Sequence, residues 1–287
     1  MSDSDVPAIA VTGATGRLGG RVARRLAASD FAQRFLARDP DRAPRLPRSS
    51  VMRAEFGDTH EVRAALDGMQ TLLMVSASEH PDRLAQHLGF VDAAVAAGVE
   101  HIVYISFYGA APDCTFTLGR DHYATEQHIR TSGLRFTFLR DNLYADFMPA
   151  LVGEDGIIRG PAGHGRVAAV TQDDIADAAT AVLLDPASHA GATYSLTGPE
   201  ALSLDDVAAI LTTHLHRPVT YHQETIEEAY ASRASYGAPP WQVDAWVSTY
   251  TAIANGELAD VTDDIPRLTG HRATSLADLL RNDGSAY

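Results

Sequence analysis

The chain has 287 residues, 45% hydrophobic and 21% charged, which is typical of a globular protein with one large or two small domains. Its formal net charge of −14 argues against nucleic acid as a partner, because a broadly negative surface repels phosphate. Cys114 is the single cysteine, which excludes an intramolecular disulfide and a thiolate metal site, and the 12 histidines lack zinc-helix spacing, so we predict no metal.

The first 140 residues alternate short apolar runs with stretches of helical periodicity. The apolar runs predict strands at 8–12, 34–37, 51–56, 71–76, 101–107 and 135–140. The stretches between them predict helices at 17–28, 59–67, 82–97 and 119–132. Apolar strands separated by helices are typical of a parallel sheet covered on both faces, so we predict a doubly wound α/β fold.

Beyond residue 141 the alternation is less regular. Strands are predicted at 167–171, 192–198 and 219–223, and helices at 172–184, at 203–215, within 224–254 and from near Thr274. We expect Ser203 to start its helix, because Asp205 and Asp206 then place carboxylates in the first turn, where they suit the helix dipole.

Residues 10–22, AVTGATGRLGGRV, connect the first predicted strand to the first predicted helix. Gly13 permits a tight turn, Gly16 lets the backbone approach a pyrophosphate, and Gly19 lets the helix pack close to the sheet. The helix N-terminus offers N–H groups and partial positive charge to the anion. A plain glycine turn is the alternative, since the spacing is G-x-x-G-x-x-G. We predict a dinucleotide site formed by Gly13, Thr15, Gly16, Arg17, Leu18 and Gly19.

The residues after the second strand select the cofactor. In LARDP, Arg38 would meet the 2′-phosphate of NADP, whereas Asp39 would bind the ribose hydroxyls of NAD. Arg38 and Arg17 together favour NADPH, with NADH left open. The alternative for Arg38 is a solvated surface charge.

Polar or small residues also follow the third and fourth strands. Asp58 is expected near the adenine amine, or as a helix cap with Glu61 completing a capping box. Ser76, Ala77 and Ser78 lie at the carboxyl edge of the predicted sheet, where ligands bind in open α/β folds. A simple polar turn is the alternative for these three residues.

Four segments resemble the NmrA-like group of atypical short-chain dehydrogenases: VTGATGRLG (11–19), LARDP (36–40), HIVYISF (101–107) and ATEQHIRTSGLRFTFLRDNLYADF (124–147). Within that group the chain is similar to bacterial NAD(P)H:quinone oxidoreductases and triphenylmethane-dye reductases. The resemblance implies a Rossmann-type doubly wound parallel sheet with a smaller C-terminal substrate lobe. We assign residues 1–150 to the dinucleotide-binding domain and 151–287 to completion of the sheet and to that lobe.

All 23 basic residues are arginine, so the Tyr-x-x-x-Lys pair of ordinary short-chain dehydrogenases is excluded, and its nearest counterpart is Tyr123 with Gln127. Without that cation, proton donation to an alcohol or ketone is disfavoured. A quinone or cationic dye accepts hydride with less assistance, so we expect a reductase that acts by positioning. A non-catalytic redox-sensing regulator of the NmrA type is the alternative. An epimerase-like enzyme is disfavoured, since it too needs the pair.

Candidate catalytic residues are His122 and Asn142. The resemblance places His122 where related plant ether reductases carry a lysine, and Asn142 follows the sixth strand; the alternatives are an exposed histidine at a helix start and a turn residue. Aromatic residues can stack on a flat acceptor, with core packing as the alternative and with Tyr144 as either a donor or a wall. The candidate substrate residues are Phe107, Tyr108, Tyr144, Phe147 and Trp241.

The expected partner is therefore a small aromatic or quinone-like substrate. MSDSDVP lacks the regions of a signal peptide, and no apolar run reaches the ~20 residues that cross a bilayer, so we expect a cytoplasmic protein without a membrane partner. The sequence leaves the oligomeric state open, including a homodimer.

Overall fold

The computed structural model describes residues 9–282. Ala8 of the first predicted strand and the outer ends of the predicted domains therefore lie outside the described residues. The strands are β1 (Ile9–Thr12), β2 (Gln33–Ala37), β3 (Ser49–Arg53), β4 (Thr71–Val75), β5 (His101–Phe107), β6 (Arg135–Asp141), β7 (Ile157–Gly160), β8 (Arg166–Val167), β9 (Thr193–Leu196), β10 (Leu202–Ser203) and β11 (Thr220–Gln223). The α-helices are α1 (Arg17–Ala28), α2 (Thr59–Leu66), α3 (Arg83–Ala96), α4 (Thr117–Thr131), α5 (Gln172–Leu184), α6 (Leu204–Leu215), α7 (Ile226–Arg233), α8 (Pro240–Ala254), α9 (Asp264–Thr269) and α10 (Leu276–Asn282).

Seven strands form one parallel sheet in the order β3-β2-β1-β4-β5-β6-β9. Strand β1 pairs with β2 on one side and β4 on the other, so the order reverses at β1. That reversal is the topological switch point of an open α/β sheet, beside which ligands bind. The predicted fold class is confirmed.

The chain divides into two compact units, each of which is discontinuous in sequence. The described residues of unit 1 are 9–106, 121–140 and 175–194, and those of unit 2 are 107–120, 141–174 and 195–282. The predicted division at residue 150 stays a prediction.

Unit 1 covers both faces of its strands. Leu72, Met74, Ile102 and Tyr104 pack in one core with apolar residues of α2 and α3, including Phe90. Leu73 and Val103 alternate with them along the strands, so their side chains point to the opposite face, where they too are fully buried. The unit also joins α1 to α5 by an ion pair of 2.6 Å between Arg25 Nε and Asp177.

Unit 2 has its own core, to which α6, α8 and α10 contribute Leu211, Ile253 and Leu280. It contains two small sheets, in which β7 pairs with β11 in parallel and β8 pairs with β10 in antiparallel. Helix α6 begins after Ser203, as predicted: the Ser203 hydroxyl accepts from the Asp206 N–H, and the Asp206 carboxylate accepts from the Ser203 N–H.

The predicted element bounds are most accurate in the first half. Helix α1 and strand β5 have the predicted bounds, whereas β3 ends at Arg53 because the chain turns before the α2 cap. The predicted strand at 167–171 is wrong beyond Val167, since the Ala168 and Val170 N–H groups donate to loop carbonyls. The sequence analysis missed β7, β10 and α9. Among the described residues, no helix combines the length and apolarity needed to span a membrane.

Candidate active site

Three glycines form the turn between β1 and α1. At each of them a side chain would strain the backbone, collide with a neighbouring atom or fill space beside the turn. Gly13 has φ of +67°, a left-handed conformation that favours glycine. A Cβ on Gly19 would lie 2.4 Å from the Gly13 carbonyl oxygen, so only glycine lets α1 approach the turn. A Cβ on Gly16 would lie 3.2 Å from the same oxygen, with no other neighbouring atom within 4 Å. Gly16 therefore leaves space beside the turn for a ligand.

The N-terminus of α1 has the electrostatics of an anion site. Its N-cap is Gly16, its first turn has no acidic residue, and no side chain in the described part of the chain caps it. The first-turn N–H groups of a helix lack intrahelical partners and carry partial positive charge. Thr15 and Arg17 are exposed beside this turn, and Leu18 is buried, so only its backbone can contact a ligand. The residues present fit a dinucleotide pyrophosphate.

Arg38 and Asp39, the two residues after β2 that were predicted to compete for the cofactor ribose, differ in their surroundings. The Asp39 carboxylate accepts from the Asp41 N–H at 3.2 Å and caps a short 3₁₀ turn. Arg38 is exposed and has no ion-pair partner within residues 9–282. The guanidinium is therefore available to an added anion, whereas Asp39 has a local structural role.

Asp58 is the N-cap of α2. One carboxylate oxygen accepts from the N–H groups of His60 and Glu61, each at 3.0 Å. The predicted capping box is wrong in its second half, because the Asp58 N–H donates to the Glu55 carbonyl and the Glu61 carboxylate pairs with Arg53 at 2.6 Å. Asp58 stays exposed, so the cap leaves its second oxygen open to solvent.

The loop after β4 is held by two side chains of α3. The Ala77 N–H donates to His87 Nε2 at 2.9 Å, and the Ala77 carbonyl accepts from Arg83 Nε at 3.1 Å. Ser76 is half-buried and Ser78 is exposed. The buried side chains of His87 and Arg83 therefore fix the backbone of this predicted cofactor loop at Ala77.

His122 belongs to the same buried network. Its Nε2 lies 2.9 Å from Arg83 Nη2, and its Nδ1 lies 2.8 Å from the Tyr104 hydroxyl. A guanidinium only donates, so Nε2 accepts and the proton of the neutral ring sits on Nδ1. Burial, and then the positive charge of Arg83, holds the pKa of His122 well below its usual value. The alternative of an exposed histidine is wrong, since His122 is 7% exposed.

Asn142 is fully buried and satisfies backbone groups of unit 2. Its side-chain amide donates to the Leu258 carbonyl at 3.0 Å, and its side-chain oxygen accepts from the Leu143 N–H at 2.8 Å. Both functional atoms therefore have protein partners, which places Asn142 in the support of the loop after β6.

The loop after β6 also pairs Asp141 with Tyr144. The Tyr144 hydroxyl donates to a carboxyl oxygen of Asp141 at 2.8 Å. Burial raises the pKa of Asp141 to about 8, although the Tyr144 hydrogen bond and the residue's own amide act in the opposite direction. Burial and the Asp141 charge raise the pKa of Tyr144 well above its usual value.

Unit 2 contains a cavity of about 860 Å³ with an aromatic lining. The predicted substrate residues Tyr144 and Phe147 lie in its wall. The sequence analysis missed the other aromatic members of the wall, which are Tyr236, Trp246 and Tyr250. This volume is of the size that binds a small organic ligand.

Two arginines line the cavity, and each has a carboxylate partner. Arg233 Nη1 lies 2.9 Å from Glu224, and its guanidinium stacks 5.0 Å above the Tyr250 ring. Arg159 pairs with Asp155 at 2.6 Å. Because both cations are compensated, the cavity suits a neutral or cationic aromatic molecule better than a polyanion.

The remaining predicted substrate residues lie elsewhere in unit 2. Phe107 is buried in the core, with its ring 4.7 Å from that of Phe116, and the Tyr108 hydroxyl donates to Asp260 at 3.2 Å. Trp241 is the second residue of α8 and does not line the cavity, whereas Trp246 does. Trp246 lies five residues later on the same helix, about 140° around the helix axis from Trp241, so the two side chains point to different faces.

Comparison with known proteins shows which family the chain belongs to. A sequence model described as NAD(P)H-binding matches residues 13–186. Quinone oxidoreductase 2 of Escherichia coli strain K12 is 34% identical over 278 residues, which covers 94% of this chain and 96% of the relative. NAD(P)H azoreductase of Xenophilus azovorans is 32% identical over 285 residues, covering 97% and 99%.

Solved structures agree with these relatives. The NADPH-dependent quinone oxidoreductase of Escherichia coli, complexed with NADPH, matches with a TM-score of 0.87 and 33% identity over 96% of this chain and 99% of that chain. Triphenylmethane reductase of Citrobacter sp., complexed with NADP(H), matches with a TM-score of 0.85 and 31% identity, covering 96% and 99%. NmrA, a negative transcriptional regulator in complex with NADP, has a TM-score of 0.78 at 20% identity, over 98% of this chain and 96% of that chain, which is a likeness of fold alone.

The glycine turn lies within the matched residues 13–186, and both indicate NAD(P)H binding. The resemblance to the NmrA-like group is confirmed. The chain belongs to the NAD(P)H-binding family, with reductases of quinones, azo compounds and triphenylmethane dyes among its relatives.

Proposed function

We propose that the chain is an NADPH-dependent oxidoreductase that transfers hydride to a quinone-like, dye or other electrophilic aromatic acceptor. The observation that carries the proposal is the aromatic cavity of unit 2, in a chain whose β1–α1 turn fits a dinucleotide. Relatives above 30% identity, whose names state a reductase activity, support this function.

The chain's own residues have separate tasks in this proposal. Gly13, Gly16 and Gly19 shape the pyrophosphate site, and Arg38 binds the 2′-phosphate that distinguishes NADPH from NADH. When bound, NADPH supplies the hydride. The cavity wall, including Tyr144 and Phe147, orients a flat acceptor and excludes water from it.

His122 and Asn142 act as positioning residues in this proposal. Both nitrogens of the His122 ring and both polar atoms of the Asn142 side chain have protein partners, so neither group is free to exchange a proton with a ligand. His122 holds Arg83, and Arg83 holds the Ala77 carbonyl of the cofactor loop.

The absence of lysine bears on the class of reaction. The sequence cannot form a Tyr-x-x-x-Lys pair, so the proposed acceptors are ones that accept hydride without strong acid assistance. A non-catalytic sensor would share this absence, but the regulator NmrA is 20% identical whereas the reductase relatives exceed 30%.

The experiment is to mix the purified chain with NADPH and either menadione or malachite green, and to follow the absorbance of the cofactor. We expect saturable oxidation of NADPH that depends on the acceptor. Tight binding of NADPH without turnover across a panel of quinones, azo compounds and dyes would instead identify a redox-sensing regulator.

Location and assembly are also proposals. With a single cysteine the chain forms no intramolecular disulfide and suits a reducing compartment, so we propose the cytoplasm, and fractionation of cells is the test. A homodimer is the proposed assembly, because symmetric dimers are the commonest oligomers, and light scattering of the purified chain would decide it.

A further inference from the structure

Asp141 and Tyr144 combine burial with access to the cavity. Asp141 is the last residue of β6 and is 4% exposed. Tyr144 lies three residues later, its hydroxyl is 2.8 Å from the Asp141 carboxyl, and its side chain forms part of the cavity wall. A buried acid is therefore linked by one hydrogen bond to a residue that lines the cavity.

The surroundings of this pair keep the acid protonated. The Asp141 carboxyl accepts from the Tyr144 hydroxyl and from the residue's own amide, and no cation within residues 9–282 contributes to the change in its pKa. Asp146 faces Tyr144, but its carboxylate accepts from the Gln172 N–H at 2.8 Å. The nearby Tyr108 hydroxyl donates to Asp260 instead. Burial is the dominant cause that raises the pKa of Asp141 to about 8, so the carboxyl is mostly protonated at neutral pH.

We propose that Asp141 and Tyr144 form a proton relay in which Tyr144 donates to an oxygen or nitrogen atom of the acceptor and Asp141 resupplies Tyr144. This inference rests on the proposed reductase function and deepens it. It supplies the acid that a chain without lysine cannot obtain from a Tyr-x-x-x-Lys pair. It also divides the proposed acceptors into two classes: neutral acceptors, whose reduction consumes a proton as well as hydride, and cationic acceptors, whose reduction consumes hydride alone.

Reduction of a quinone to a hydroquinone consumes one hydride and one proton. Hydride brings two electrons and one proton to the acceptor, which leaves one negative charge on its oxygen. In this step the Tyr144 O–H turns from the Asp141 carboxyl to the acceptor oxygen, and the protonated carboxyl donates to the Tyr144 oxygen. The Tyr144 O–H bond then breaks as the acceptor O–H bond forms, and the Asp141 O–H bond breaks as the Tyr144 O–H bond is restored. Water returns the proton to the Asp141 carboxylate after product release. A cationic triphenylmethane dye is neutralised by hydride alone and uses no proton from the relay.

The test compares two acceptors in the same variants, menadione and the cationic dye crystal violet. With menadione, we expect wild-type kcat to fall as pH rises through about 8, where Asp141 loses its proton. Asp141→Asn should lower kcat at least about 10-fold with menadione and remove that pH dependence, since general acids contribute large factors to rate. Tyr144→Phe should act in the same direction, and in both variants the fold-loss in kcat at pH 7 should be at least about 5-fold smaller with crystal violet than with menadione.

A matched control is available in α7 and α8. The Tyr230 hydroxyl donates to Asp244 at 2.8 Å, and neither residue lines the cavity. Asp244→Asn should leave both reactions unchanged. Equal losses of both reactions in Asp141→Asn would show a structural role, and no loss with menadione would show that the relay is not used; either result overturns the inference.

Infrared spectroscopy tests the pair without turnover. The wild-type spectrum at pH 7, minus that of Asp141→Asn, should show the C=O band of a protonated carboxylic acid that disappears as pH rises through about 8. Absence of the band overturns the relay. Failure of the wild type to reduce either acceptor would instead overturn the proposed function, so the two failures are distinguishable.

Discussion

Arg83 Nη2 lies 2.9 Å from His122 Nε2, and this hydrogen bond joins α3 to α4 in a direction that the chemistry of arginine determines. Because the imidazole must accept, His122 stays neutral, and Arg83 is held where its Nε donates to the Ala77 carbonyl. His87 accepts from the Ala77 N–H. Two buried neutral histidines thus support the loop that follows β4.

Because His87 and His122 are buried in the neutral form, we expect the free energy of unfolding to fall in acid. Burial lowers the pKa of His87 to about 2, from an ordinary value of 6.5, and lowers that of His122 well below 6.5. The unfolded chain therefore binds more protons below pH 6.5, so the stabilisation is fully present above that pH and is lost as pH falls towards 2. Each histidine should contribute a loss of up to about 1.4 kcal/mol per pH unit.

Urea unfolding between pH 7 and 5 measures this slope. His87→Phe should reduce the slope, whereas His164→Gln, at an exposed position, should leave it unchanged. An identical slope in wild type and His87→Phe would contradict a buried neutral His87.

Because Asp141 is buried in the protonated form, we expect the free energy of unfolding to fall as pH rises above neutral. Its pKa is about 8 in the folded chain and about 3.8 when unfolded, so the folded state binds the extra proton between these values. Stability should therefore fall by up to about 1.4 kcal/mol per pH unit as pH rises towards 8, where the opposing slope of the buried histidines fades to zero. Asp141→Asn should flatten this region in urea unfolding. Retention of the decline in that variant would assign it to another group.

Gly19→Ala tests the close approach of α1 to the glycine turn. The added Cβ would lie 2.4 Å from the Gly13 carbonyl oxygen, so α1 must shift away. We expect the free energy of unfolding to fall by about 1–3 kcal/mol and NADPH binding to weaken, as measured by calorimetry. Gly98→Asn is the control, because Gly98 has φ of +82°, no neighbouring atom within 4 Å, and asparagine tolerates this conformation. Unchanged binding in Gly19→Ala would contradict the assigned site.

Arg38→Ala tests the choice of cofactor. Removal of the guanidinium should weaken NADPH binding at least about 10-fold, the scale of a lost charge-assisted hydrogen bond, and leave NADH binding nearly unchanged. Arg63→Ala, at another exposed arginine on α2, should alter neither affinity. Equal losses for both cofactors in Arg38→Ala would contradict recognition of the 2′-phosphate.

Tyr236→Ala tests the cavity as the acceptor site. Tyr236 is 72% exposed and packs edge-on against Trp246, so its removal should cost contact with the acceptor but little folding energy. We expect KM for menadione to rise roughly 3- to 10-fold with kcat unchanged. Tyr230→Ala removes a comparable exposed aromatic outside the cavity and should leave KM unchanged. A raised KM in both variants would indicate a general effect on α7 and the turn that follows it.

The sequence predicts the sheet and the glycine turn well because their signals are local. The glycines from Gly13 to Gly19 and the amphipathic α1 lie in one short segment, and the central strands β1, β4 and β5 are largely apolar runs. Strands β8 and β10 have two residues each and depend on pairing with each other, so no local pattern marks them.

The candidate site is harder to predict because its contacts join distant segments. His122 meets Arg83 from 39 residues away, and this contact, rather than helical pattern, decides that the imidazole is buried and neutral. The cavity wall combines residues between Leu143 and Ile253, so the sequence analysis found Tyr144 and Phe147 beside a predicted strand but selected Trp241 instead of Trp246. The burial that controls Asp141 likewise exists only in the folded chain.

Transfer of hydride itself is tested most directly with NADPH deuterated at C4 and crystal violet as the acceptor. The hydrogen that reaches the central carbon of the dye does not exchange with water, so mass spectrometry of the colourless product reports its origin. We expect deuterium on that carbon when the transferred position of the cofactor is labelled. Colourless product without deuterium from either C4-labelled form, or no product despite bound NADPH, would contradict a hydride-transferring reductase.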